Sequence, residues 1–98
     1  MLYANTGASL TINLPADGTF GVSNAGCLLC FKQDQAGAIT IDPNGTDTIV
    51  ANQVGLSLDA GDKLVLASGV GNEVCLLARS ASTWHSMAGS GGLTDGGP

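Results

Sequence analysis

Four residues of this 98-residue chain are of types that hold zinc: Cys27, Cys30, Cys75 and His85, the first two spaced Cys-x-x-Cys. A Cys3His centre needs its Cys-x-x-Cys pair folded on a tight turn, so that both sulfurs converge on the metal. Here the pair lies inside CLLCFKQ, an apolar run of strand character. Residues three apart in a strand point to opposite faces, so the thiols diverge and are expected to pack as small hydrophobes. A thioredoxin-type exchange pair is disfavoured, because it wants Cys-x-x-Cys where a strand meets a helix. His85 follows Trp84 directly and falls on the opposite strand face, which points to a solvated or interface histidine rather than the base of a nucleophile pair.

Asp42, Asp47, Asp59 and Asp62 are the second set with chemical potential. Clustered carboxylates hold calcium or move protons. The segment DPNGTD lacks the D-x-D-x-D-G spacing and the closing Glu of a calcium loop. Each of these aspartates sits in or beside a turn, where Asp is favoured for hydrogen bonds to its own backbone. Turn-making is therefore their expected role, and no cofactor, metal site or enzymatic activity is expected.

The elements that position these residues are strands. Ile39 and Ile41 alternate with Thr40 and Asp42, Leu56 and Leu58 with Ser57 and Asp59, and Leu64 and Leu66 with Val65 and Ala67. A period of two puts one apolar row on each strand face. Leu10, Ile12 and Leu14 repeat the pattern, and Thr19–Ser23 and Thr46–Ala51 are further short strands. Cys27–Gln33 and Glu73–Arg79 are more continuously apolar, as expected of central strands buried on both faces. Thr83–Met87 carries Trp84 as a last strand. Turn signals separate these runs, Asp42-Pro43-Asn44-Gly45 being the strongest. The expected fold is all-β: a small antiparallel sandwich or barrel, jelly-roll-like, of about eight short strands. Residues 1–87 form the domain, and the Gly-rich 88–98 is a flexible arm or one that orders against a neighbour.

Charged residues are 11% of the chain, less than half the usual ~25%, while hydrophobic residues are 44%. So few charges leave a free monomer poorly defended against association, and burial in an assembly is expected. The net charge is −5, and Lys32, Lys63 and Arg79 are the only strong bases. Three scattered cations make no phosphate-tracking patch, so neither nucleic acid nor an anionic membrane is an expected partner. No apolar run reaches the ~18 residues of a membrane span. The start, MLYANTGASLTINL, lacks a basic n-region, so the chain is expected to stay in the cytoplasm where it is made, with free thiols.

The ordered set ITIDPNGTDTI, LSLDAGDKLVLAS and STWHSM resembles a module of tailed-bacteriophage virion proteins, found in small head decoration (cement) or head-fibre proteins and in tail fibres. The likeness spans Ala38 to Trp84, and the ending GSGGLTDGGP is similar to Gly-rich tails of such proteins. One departure is Ser80-Ala81-Ser82-Thr83, where the family's turn before the tryptophan carries a glycine. The resemblance implies a β-rich homotrimer with no enzymatic activity. A 98-residue chain without heptads fits a capsid decoration protein better than a long fibre. The expectation is a protein made in the host cytoplasm and placed on the capsid surface of the virion, where it binds the major capsid protein and reinforces the head. It would dock through one end of the sandwich and a terminal arm. Trp84, Ile39, Ile41, Leu64 and Leu66 are the expected core or subunit-interface residues, with Met1, Leu2, Tyr3 and Leu93 in candidate docking arms. A tail-fibre or receptor-binding module, and a carbohydrate- or metal-binding sandwich, are the alternatives.

Overall fold

Strand propensity and period-two rows produce nine strands among the described residues: β1 (Leu2–Ala4), β2 (Leu10–Asn13), β3 (Leu28–Lys32), β4 (Ile39–Asp42), β5 (Thr48–Val50), β6 (Leu64–Leu66), β7 (Glu73–Ser80), β8 (Thr83–Ser90) and β9 (Leu93–Asp95). The computed structural model describes residues 2–4, 9–14, 28–33, 37–51, 55–66, 72–80, 82–90 and 92–98, of which 2–4, 80 and 88–90 are described by backbone. The expected strand Thr19–Ser23, Met1 and Cys27 lie outside the described residues.

Two sheets form, a larger one in the order β1-β3-β7-β8-β5 and a smaller one in the order β2-β4-β6-β9. The chain changes sheet at every connection between consecutive described strands except β7 to β8. The all-β sandwich expected from the turn spacing is present, but its sheets are mixed, not antiparallel. The pairings β1–β3, β2–β4 and β5–β8 are parallel, and each joins strands that are not consecutive in the chain, as a parallel pair requires a crossover connection.

The core lies between the sheets. Leu29, Phe31, Ile49, Val74, Leu76, Ala78 and Trp84 come from the larger sheet, and Ile39, Ile41, Leu64 and Leu66 from the smaller. Burial of these rows is the main force holding the sheets together. Trp84, Ile39, Ile41, Leu64 and Leu66 are wholly buried within the single chain, so of the two roles expected for them they take the core one and offer no surface to a neighbour.

Three local expectations are corrected. Leu56-Ser57-Leu58 is not a strand. It runs as irregular chain with both leucines half-buried against the core, and no strand among the described residues pairs with it. β3 is buried on one face only, with Leu28 and Lys32 exposed and Cys30 half-buried. The 88–98 segment is not a free arm. Ala88 to Ser90 complete β8, and Leu93–Asp95 pair antiparallel with β6, placing Leu93 opposite Leu66. The Gly96 N–H donates to the Lys63 carbonyl and the Lys63 N–H to the Gly97 carbonyl, both at 2.8 Å, which extends that ladder.

The aspartate-bearing turns behave as local chemistry dictates. Asp62 is buried, and its Oδ2 accepts the Asp59 N–H at 2.9 Å while the Asp62 N–H donates to the Asp59 carbonyl at 3.0 Å. This turn docks on the one after β4 through the Gly61 N–H, which donates to the Asp47 carbonyl at 3.0 Å. Gly61 has φ +83, and a Cβ there would lie 3.2 Å from the Gly45 carbonyl oxygen. Gly45 has φ +54 and open space around it. Gly45→Ala is expected to cost only the left-handed backbone penalty of about 1–2 kcal/mol. Gly61→Ala should cost that and more, read as a larger drop in denaturation midpoint; equal drops would show that the two turns do not press on each other.

Candidate functional site: the outer face of the larger sheet

Of the four residues first singled out for zinc, Cys30, Cys75 and His85 lie on the outer face of the larger sheet. Alternation sends Leu29 and Phe31 of β3, Val74, Leu76 and Ala78 of β7, and Trp84 and Ser86 of β8 inward. The intervening residues therefore point outward: Leu28, Cys30 and Lys32; Glu73, Cys75, Leu77 and Arg79; Thr83, His85 and Met87; and Thr48 and Val50 of β5. Register aligns Leu28 with Leu77, Leu77 with His85, and His85 with Val50, one row crossing four strands. Beside it, Cys30 faces Cys75.

Cys30 and Cys75 are joined in a disulfide, with Cα atoms 4.0 Å apart. The free thiols expected from the missing export signal are thereby corrected for these two residues: cross-strand register places the sulfurs within bonding reach. The bonded pair offers no thiolate to a metal or to His85. Ser86 points into the core while His85 points out, so this serine and histidine form no nucleophile–base pair. Among the described residues, no three His, Cys, Asp or Glu side chains gather as a ligand set.

The face is apolar at its centre and thinly charged at its margins. Leu28 is 44% exposed and Met87 51% exposed, while Leu77 and Val50 are half-buried. Two bulges shape it. The β7–β8 register passes over Met87 between Cys75 and Leu76, and over Arg79 between Ala78 and Ser80. Bulges re-aim side chains, and the two residues so placed are of types enriched at protein interfaces. Lys32 and Glu73 oppose each other near one end, and Arg79 lies near the other. The remaining described acids, Asp42, Asp47, Asp59, Asp62 and Asp95, belong to the smaller sheet and its turns. Among the described residues the larger sheet therefore carries Lys32, Arg79 and Glu73, while the smaller sheet and its turns carry five aspartates with Lys63.

The expected arm residues fall elsewhere. Leu2 and Tyr3 belong to β1, the edge strand beside β3, and Leu93 is half-buried in β9 at the edge of the smaller sheet. Sequence reasoning missed Leu28, Leu77 and Met87. For Leu28 and Leu77 the signal available was the doubly apolar character of CLLCFKQ and EVCLLAR, assigned there to burial on both sides. Three buried side-chain atoms among the described residues lack a hydrogen-bond partner: Gln33 Oε1, Trp84 Nε1 and Ser86 Oγ. The Gln33 Nε2 donates to the Gly37 carbonyl. No protein-family model, curated protein or solved structure matches the chain.

Proposed function

We propose that the chain is a structural virion protein, a homotrimeric capsid decoration protein that binds the major capsid protein and stabilises the head. The observation that carries this reading is the apolar outer face of the larger sheet, where Leu28 and Met87 are exposed beside the half-buried Leu77, in a chain with only 11% charged residues. A sheet whose central strands are apolar on both sides is stable in water when both sides are covered. In this reading, neighbouring copies and the capsid cover that face, and the acidic smaller sheet points to solvent. The ordered run ITIDPNGTDTI, LSLDAGDKLVLAS and STWHSM supports the virion setting through its likeness to phage modules.

Light scattering on the purified protein is the first test, with an expected mass of three times the 9.7 kDa chain. The double variant Leu28→Asp/Met87→Asp is expected to fold, to lose the trimer, and to fail to bind heads that lack the protein. A wild-type monomer that binds no such heads would remove the reading. Copies per virion separate decoration, at hundreds, from a tail-fibre module, at a handful.

A further inference from the structure

We infer that the Cys30–Cys75 disulfide is a lock that closes after the fold has formed, and that the dithiol chain already holds the same strand pairing. The two cysteines are register partners on neighbouring antiparallel strands, and the ladder fixes them from both sides through Leu28–Leu77 and Leu29–Leu76 before them and Phe31–Val74 and Lys32–Glu73 after them. The other face of these strands is anchored independently. Leu29, Phe31, Val74 and Leu76 are core residues, whereas the cysteines are half-buried on the outer side and add nothing to that packing. Strand pairing thus brings the sulfurs together without help from the bond. Half-buried on the outer side rather than sealed in the core, they stay within reach of a small oxidant.

The closing step needs one co-reactant class, a low-molecular-weight disulfide. The thiolate of one cysteine attacks it, forming a mixed disulfide and expelling one small thiol. The thiolate of the second cysteine then attacks the protein-side sulfur and expels the other small thiol. Two protein thiols and one small disulfide become one protein disulfide and two small thiols. The bond joins residues 45 apart in sequence, a long loop, so closing it removes substantial freedom from the unfolded chain. This inference rests on the fold alone and is independent of the virion reading.

The test uses the full chain purified under reductant, with glutathione disulfide as oxidant. The reduced chain is expected to show a β-type far-UV spectrum and cooperative melting. Oxidation under native conditions should lower the thiol count from three to one, with peptide mapping placing the bond at Cys30–Cys75. The melting temperature should rise by about 10–20 °C. Cys27→Ser should keep both changes and Cys75→Ser should lose both. The inference is overturned by an unfolded reduced chain, by three thiols remaining after native oxidation, by a bond that maps to Cys27, or by an unchanged melting temperature.

Discussion

Trp84→Ala is expected to lower the unfolding free energy by about 3–5 kcal/mol, and Trp84→Phe by less than about 1.5 kcal/mol. The indole is the largest wholly buried side chain among the described residues and lies between the sheets. Removing it leaves a cavity bounded by strands that their ladders hold in place, so little collapse can refill it. A domain of this size has a total stability of about 5–15 kcal/mol, which puts the alanine variant near the edge of folding at room temperature. Phenylalanine restores most of the packed volume, and among the described residues it forfeits no hydrogen bond, because Nε1 has no partner there. Urea denaturation followed by circular dichroism reads both costs. If Trp84→Phe proves as damaging as Trp84→Ala, Nε1 has a partner in solution and the account of this site fails.

The second large effect is a contrast along one strand. Phe31→Ala should cost about 3–5 kcal/mol, because the ring is wholly buried in the core. Leu28→Ala, three residues earlier on the same strand, should cost less than about 1 kcal/mol, the scale of its cross-strand pairing with Leu77. Both measurements belong at a protein concentration where the chain is monomeric. Raising the concentration should widen the cost of Leu28→Ala if neighbouring copies cover the outer face, while the cost of Phe31→Ala in the monomer stays fixed. Equal costs for the two in the monomer would mean that the chain covers Leu28 itself.

The rows Ile39/Ile41 and Leu64/Leu66 were legible because each lies in a strand with partners on its sheet, so period two in sequence became in-and-out in space. Leu56 and Leu58 have the same alternation and form no strand. The period is a local property, while a ladder needs a neighbour that only the tertiary fold supplies. The same limit hid β9. Gly-rich composition reads as freedom, yet the pairing of Leu93, Thr94 and Asp95 with Leu66, Val65 and Leu64 spends that freedom on an edge strand. Two-sided apolar strands were recognised in β3 and β7, but composition does not say whether the second face is covered by the same chain or by another. The disulfide was equally out of reach, since three cysteines allow three pairings and register alone selects Cys30 with Cys75. Of the candidate site, the central strands were readable and the face they share was not.

The weaving of the chain between its two sheets also determines how the molecule can come into being. Leu2 waits for Cys30, Leu10 for Ile39 and Thr48 for Thr83, so these pairings close long loops before any contact rewards them. Among the described strands, only β7 and β8, joined by a short turn, can pair early as a local hairpin. Neither sheet is a folding unit, because completing one threads the chain repeatedly through the other. Such a topology favours a slow, all-or-none search in the millisecond-to-second regime of non-local β proteins. A chain synthesised only as far as Ala78 would hold β3 and β4 without β8 and β9, the strands that pair with β5 and β7 in one sheet and with β6 in the other.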